Sequence, residues 1–506
     1  MTILLHTYRD RALWLFILVM TGFVAFPTEA SSTPANTGAP QTELVQDAEH
    51  APAASSDGHA VEEGSGEHGP MPPVILVLPF ILILLLIAMG PLFFAHHWHL
   101  NYPKYAVGLG LIVGAHYLFA MGTFVPMEHA IAEYISFIAL VASLFLAASG
   151  IFVNVNLKGT PKNNAIFLLV ASVSANFIAT TGAAMLFIRA YMRLNEGRLK
   201  AYHIVFFIFL VANVGGALTP IGDPPLFLGF LRGVPFFWTA AHVWYIWLPT
   251  TFMILAVFFV MDSRNKDHTP DPVEDEPMVS IIGAKSFVWV AIIIASVFID
   301  PTVFAWVPDL HALWGVPFGV REVIMLVVAA LAYFTANKTA LEKNQFHFEP
   351  IREVAWLFFG IFATMQPALQ IISNYASQHA DSLAVGTFFW GTGILSGILD
   401  NAPTYLNFVA AAMGKFGLDV NSAESVVLFA EGIESLIYLQ AISVAAVFFG
   451  AMSYIGNAPN FMVKAIAESN GVETPSFTGY ILKYSIPILL PIYTLIYIIF
   501  YSGWVL

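Results

Sequence analysis

Beyond residue 70 the chain alternates long apolar runs with short polar connections. A helix crossing a bilayer needs about 20 apolar residues. On that measure the runs at 73–95, 104–122, 131–153, 240–261, 286–305, 319–336, 353–376 and 480–503 are predicted crossings, with Gln366 and Pro367 interrupting 353–376. Four further apolar stretches, 163–190, 201–238, 383–413 and 429–468, do not read as simple helices. The second holds the run NVGGALTPIGDPPL from Asn213 to Leu226. Gly215, Gly216 and Gly222 loosen its backbone, and Pro220, Pro224 and Pro225 each remove a donor. Broken backbone at membrane depth is tolerated only inside protein or beside a water-filled cavity. Asp223 lies in this break, where a carboxylate is costly and marks function. A second break is predicted at 454–460, with the sequence YIGNAPN.

The stretch 163–190 has cations at both ends, Lys158 and Lys162 before it and Arg189, Arg193, Arg198 and Lys200 at its far end. A single crossing would put one cationic flank outside, whereas a re-entrant hairpin returns both to the inner face. Its small, polar midpoint is 172–182, and each arm of about 12 residues reaches roughly 18 Å. The stretch 383–413 repeats the pattern around GILDNAPTY at 397–405, and its acidic flanks predict a hairpin opening outward. The chain is therefore read as an all-α polytopic membrane protein with two re-entrant hairpins and two broken transmembrane helices. Inverted repeats are expected over about 104–261 and 319–503, joined by 286–305. Short, interrupted segments at matching positions of two halves point to a transporter site near the membrane midplane.

Composition agrees with this pattern: 58% of residues are hydrophobic and 10% charged, against about 25% charged in soluble proteins. The formal net charge of −13 lies largely outside the apolar spans and says nothing of nucleic acid; no nucleic-acid partner is expected. Cysteine is absent, which excludes disulfides, thiol nucleophiles and thiolate metal sites. Residues 1–30 resemble a secretory signal, with Arg9 and Arg11 before the apolar run 12–26. Residues 31–70, acidic and rich in Ala, Ser and Pro, read as a disordered extracytoplasmic segment preceding a membrane domain at 71–506. No Walker, HExxH or serine-nucleophile motif accompanies the glycines, so an enzyme is not expected and no cofactor is implied.

Four polar clusters should converge: Ser174, Asn176, Thr180 and Thr181; Asn213, Thr219 and Asp223; Asp400, Asn401 and Thr404; Asn457 and Asn460. Their oxygens, with the free carbonyls of broken helices, suit a hard cation such as Na⁺. Asp223 and Asp400 are the candidate proton and cation exchangers, because a proton and a cation compete for the same carboxylate. Asp400 ranks first, since it sits beside Asn401 at a tip with no Lys or Arg nearby in sequence. Asp223 has a rival role as an N-cap before Pro224 and Pro225. The asparagines could instead satisfy broken backbone, and the hydroxyls could bond back to the preceding turn. Asp300 reads as a cap, and Glu128, Glu133, Glu322 and Glu353 read as solvated near helix ends.

The run from Asn213 to Pro225 resembles the signature of NhaD-type sodium/proton antiporters, within a superfamily that includes arsenite and di- and tricarboxylate carriers. Ser174-Ala175-Asn176 with Ala179-Thr180-Thr181 is similar to that group's first hairpin tip, Asp400 to Pro403 to the second, and Gly456 to Asn460 to its second unwound helix. The resemblance implies an inverted-repeat transporter, commonly a homodimer, that exports sodium or lithium in exchange for protons, and the signal-like start suggests a bacterial inner membrane. It assigns the carboxylate roles to Asp223 and Asp400, and the polar lining to Asn176, Asn213, Asn401 and Asn457. Pro224-Pro225 and the run 226–238 look instead like a sub-branch labelled as citrate carriers. The alternative is therefore a sodium-coupled citrate or dicarboxylate transporter. Asp400, which should repel a multiply charged anion, favours the cation antiporter.

Overall fold

The apolar runs become helices, and the glycine, proline and asparagine clusters become the gaps between them. In the computed structural model the described residues are 71–503, apart from 270, 271, 273, 276 and 302. The signal-like segment 1–30 and the acidic segment 31–70 lie outside them. In chain order the helices are α1 (Leu78–Phe93), α2 (Ala95–Ala115), α3 (Val125–Ser149), α4 (Pro161–Leu194), α5 (Ala201–Leu210), α6 (Pro224–Arg232) and α7 (Trp238–Ser263). After these come α8 (Ser286–Ser296), α9 (Leu310–Trp314), α10 (Val320–Phe334), α11 (Lys338–Lys343), α12 (Glu349–Gln378), α13 (Val385–Ile398) and α14 (Asn401–Lys415). The last are α15 (Ala423–Glu431), α16 (Leu436–Phe449), α17 (Ala458–Ser469) and α18 (Phe477–Phe500), the last with a π-helical stretch at Ile481–Leu489. Among the described residues, six helices are long and apolar enough to cross a membrane, or seven if α15 and α16, bent by 96°, count as one. The protein is an α-helical, polytopic membrane protein.

Two helical segments double back. In α4 the backbone leaves helical geometry at Ile178 (φ −120°, ψ 16°) and Ala179 (φ 61°, ψ 157°). Across that kink Asn164 and Asn195, from opposite arms, exchange side-chain hydrogen bonds of 2.7 and 2.9 Å, and Phe167 stacks on Tyr191. A straight helix would hold those ends roughly 45 Å apart. Leu399 and Asp400, both extended, separate α13 from α14. The pair folds back so that Phe388 meets Phe408 edge to face and Lys415 donates to the Ala380 carbonyl.

Other boundaries depart from expectation. The tract His96-His97-Trp98-His99 is not a loop but the first turns of α2, separated from α1 only by Phe94. Burial of Trp98 explains this: its ring lies against Gly90, where a Cβ would sit 2.6 Å away, and stacks on Tyr105. The helix α12 runs unbroken through Gln366 and Pro367, because a membrane helix packed among neighbours can re-satisfy the groups that proline frees. The linking run 286–305 is helical only over Ser286–Ser296. A two-stranded antiparallel ribbon, unforeseen in the sequence, pairs Phe152–Val155 with Val279–Ile282.

The helices α2 and α12 approach closely through small residues. A Cβ on Gly360 would lie 2.9 Å from Ala106, and one on Gly110 would lie 2.9 Å from Ala363. Without a hydrophobic driving force in lipid, such small-residue contacts let backbones pack by dispersion. The helices α1, α2, α3, α8, α10 and α12 form one connected group. The doubled-back segments and the broken helices α5/α6 and α16/α17 form the other, joined to it mainly through α12 on α14 and α3 on α4.

Candidate functional site

The two breaks are built alike. Between α5 and α6 the chain is irregular except for a short 3₁₀ turn at Val214–Gly216, and the α16–α17 gap has its own turn at Gly450–Met452. Gly216 and Gly222 come so close that a Cβ on Gly222 would sit 2.1 Å from the Gly216 carbonyl oxygen. Gly450 and Gly456 repeat the contact, at 2.6 Å. The residue after each second glycine, Asp223 or Asn457, is extended (φ −144° and −152°) and starts the next helix without capping it. Both side chains are thereby free to point elsewhere.

They point at each other. Asp223, fully buried, accepts hydrogen bonds from Thr180 Oγ1 at 2.7 Å, Asn401 Nδ2 at 2.6 Å and Asn457 Nδ2 at 2.8 Å. Those donors stand just beyond the α4 kink, at the start of α14 and at the start of α17. One carboxylate thus joins both doubled-back segments and both breaks. The remaining amide oxygens, Asn401 Oδ1 and Asn457 Oδ1, are buried with no hydrogen-bond partner among the described residues. A carboxylate with two free carbonyl oxygens is a donor set suited to a hard cation. Asp223 also borders a small cavity of about 20 Å³ with Ala179, Thr181 and Pro220, large enough for one water-sized occupant.

The other candidate residues serve this centre differently. Asn176 ties the α4 kink to the first break, donating to the Gly215 carbonyl at 2.6 Å and accepting from the Leu218 N–H at 2.9 Å. Thr219 donates to the Asn176 carbonyl, and the Thr180 N–H to the Gly222 carbonyl. Across the other break the Asn401 N–H donates to the Gly456 carbonyl. Asn213 donates to the Ile208 carbonyl and to Asn460 Oδ1 (2.7 Å), while Asn460 donates to the Gly450 and Ser453 carbonyls. These amides satisfy broken backbone. Ser174 and Thr404 bond back to the Val170 and Asp400 carbonyls four residues earlier. Thr181 borders both the small cavity and a larger one.

The capping role that the sequence offered as a rival for Asp223 falls to Asp400 instead. Asp223 does not cap α6, whereas Asp400 caps α14 by accepting from the Ala402 N–H at 3.0 Å. Asp400 lines a cavity of about 500 Å³ together with Asn457, Thr181 and Arg189. Arg189, distant in sequence and ranked only as a flank charge, therefore shares a wall with it. Glu128 is exposed, as expected, but two of the outer acids are not solvated: Glu133 pairs with buried Arg232, and buried Glu322 accepts from Ser136 and Arg321. Asp300 pairs with Arg321 at 3.0 Å. A third network had no sequence signal beyond an acid near the end of an apolar run. Asp262 accepts from Arg198 at 2.8 Å, Tyr202 at 2.6 Å and Asn164 at 2.9 Å, anchoring the base of α4 to α7.

Among the described residues, no three His, Asp or Glu side chains gather as a metal-binding group. No curated protein matches the chain. A family described as "Putative citrate transport" does, over residues 70–501, and that match, on a membrane protein built around a buried carboxylate, identifies a secondary-active transporter of small solutes rather than an enzyme. The chain belongs to this citrate-transport-related family of membrane carriers.

Proposed function

We propose that the protein is a cation-coupled carrier of a small di- or tricarboxylate of the citrate class. The observation that carries this reading is the Asp223 centre, where one carboxylate takes donors from both doubled-back segments and the second break. The transported cation, sodium or a proton, binds Asp223, and Asn401 Oδ1 and Asn457 Oδ1 complete the oxygen set for sodium. With the cation absent, a buried negative charge beside the cavity opposes an anionic substrate, since like charges repel strongly where water is scarce. With it bound, that repulsion falls, so cation and carboxylate move together. The cavity at Asp400 and Asn457, about 500 Å³, matches the size of small-molecule sites and exceeds the need of a bare ion. The family match supports the carboxylate.

In this reading α4 and α13–α14 are re-entrant hairpins of two inverted repeats, about 104–261 and 319–503, that exchange access across the bilayer. The end bearing Lys158, Lys162, Arg193, Lys200 and Arg264 faces the cytoplasm, as cationic loops do. Residues 1–30 are then a signal, 31–70 an extracytoplasmic segment, and the assembly a homodimer in a bacterial inner membrane.

Sodium (or lithium)/proton antiport is the second reading, favoured by Asp400, an acid on the cavity wall that disfavours a multiply charged anion. Proteoliposomes separate the two. The carrier reading expects labelled citrate or succinate uptake driven by an inward sodium or proton gradient and lost in Asp223→Asn. If neither carboxylate enters while Na⁺ or Li⁺ dissipates an acid-inside gradient, the antiporter stands in its place.

A further inference from the structure

The second arm of α4 places Thr181, Met185 and Arg189 at four-residue intervals along the large cavity. Such spacing puts them on one helix face, with Arg189 roughly 12 Å from Thr181. Arg189 is nine-tenths buried, at 8% exposure. Among the described residues its Nε and Nη1 have no hydrogen-bond partner, and Nη2 makes only a 3.4 Å contact to Gln345 Oε1. None of the acids that share the cavity wall forms an ion pair with Arg189 among the described residues. Glu349 pairs with Arg352 at 2.6 Å, Glu353 lies by His99, and Asp400 caps α14.

A buried guanidinium carries a large desolvation cost unless an anion and good hydrogen bonds offset it. Either edge of the planar fork, Nε with Nη2 or Nη1 with Nη2, matches the two oxygens of a carboxylate once Nη2 gives up its long contact to Gln345, a geometry lysine cannot reproduce. We infer that Arg189 is a carboxylate-capture site in the cavity wall, two helical turns from the Asp223 centre. For its physiological ligand this rests on the carrier reading above. Arg189 also answers the objection raised by Asp400: a cation on the same cavity wall offsets that acid's repulsion, so the anion is held first at Arg189 and advances once the coupling cation occupies the centre. Thr181, which borders both cavities, stands between the two stations.

Two measurements test this on the full-length protein. In proteoliposomes, Arg189→Gln should raise the citrate KM about tenfold or more, the usual scale for losing a charge-assisted hydrogen bond. Its kcat should stay within about twofold, and Arg189→Lys should fall between. A citrate KM within about twofold of wild type in Arg189→Gln overturns the inference while leaving the carrier reading intact. The second measurement needs no variant. Wild-type protein in detergent is treated with phenylglyoxal and modification of Arg189 is followed by peptide mass spectrometry. Citrate should slow that modification severalfold, and sodium sulfate at equal ionic strength should not. Equal rates in citrate and sulfate overturn the inference even if transport occurs. Protection by citrate without any carboxylate transport upholds the capture site and removes the carrier reading.

Discussion

Asp223 and Asp400 differ in what surrounds them, and that difference sets the expected consequences of changing each centre. Asp223 is held by Thr180, Asn401 and Asn457, whereas Asp400 spends one oxygen on the Ala402 N–H and borders open space. Asn401→Ala and Asn457→Ala each remove a donor to Asp223 and one free oxygen. The half-saturating concentration of the coupling cation should rise tenfold or so in either variant, in line with the loss of one charge-assisted bond. Ser174→Ala is the matched control, since its hydroxyl serves only the Val170 carbonyl, and should shift that concentration less than about twofold. The glycines give a sharper contrast. Gly222→Ala puts a Cβ 2.1 Å from the Gly216 carbonyl, whereas Gly114 in α2 has nothing within 4 Å. Gly222→Ala should therefore yield little folded protein on size exclusion. Gly114→Ala should be neutral or stabilising by about 0.5–1 kcal/mol, because it replaces glycine inside a helix. The residue types of the centre were legible in the sequence, since a carboxylate and amides beside glycine and proline at membrane depth have few structural uses. Which acid caps and which is shared was not legible, because that depends on the extended backbone at Asp223 turning its side chain away from its own helix.

At the scale of elements, the breaks were readable and the anchors were not. Glycine and proline act on local backbone, so the gaps at 211–223 and 450–457 follow from local chemistry. The helical start of α2 at His96-His97 depends on Trp98 packing over Gly90 of the preceding helix, and continuity of α12 through Pro367 on neighbours distant in sequence, such as Gly110 against Ala363. The same holds for Asp262, whose partners come from two places along the chain, Asn164 from one and Arg198 with Tyr202 from the other. That network is buried and closes the base of the doubled-back α4 against α7. Asp262→Asn leaves Arg198 without its counter-charge, and breaking a buried pair from one side costs about 3–5 kcal/mol. The variant should lose that much in detergent unfolding, seen as a clearly lower Tm. Lys200 and Asp267 form a comparison nearby, 2.6 Å apart but about half exposed. An exposed pair contributes at most about 1 kcal/mol, so Lys200→Gln should leave the unfolding midpoint nearly unchanged.

For the whole molecule, the two doubled-back segments meet at one carboxylate while their bases lie on different partners. The base of α4 is fastened to α7 through Asn164 and Asp262, and the ends of the α13–α14 pair are fastened to each other through Lys415 and Ala380. An assembly held at a shared centre and anchored separately at its bases can tilt one segment against the other without breaking either anchor. Under the proposed carrier reading, the large cavity, reaching from Asp400 and Asn457 past Met185 to Arg189, Gln345 and His347, is expected to be the open path of one access state. Absence of cysteine throughout the chain makes that state measurable with a single introduced thiol. Met185→Cys lies on the cavity wall between Thr181 and Arg189, and Met is a tolerant position for such a change. A membrane-impermeant maleimide should label it from the side bearing Lys158 and Arg193, and not from the opposite side. Saturating cation with citrate should slow labelling severalfold as the path closes, and Asp223→Asn should abolish that protection. Labelling at equal rates from both sides, or protection that persists without the Asp223 carboxylate, would mean that the cavity is a fixed feature of the fold rather than one half of an access cycle.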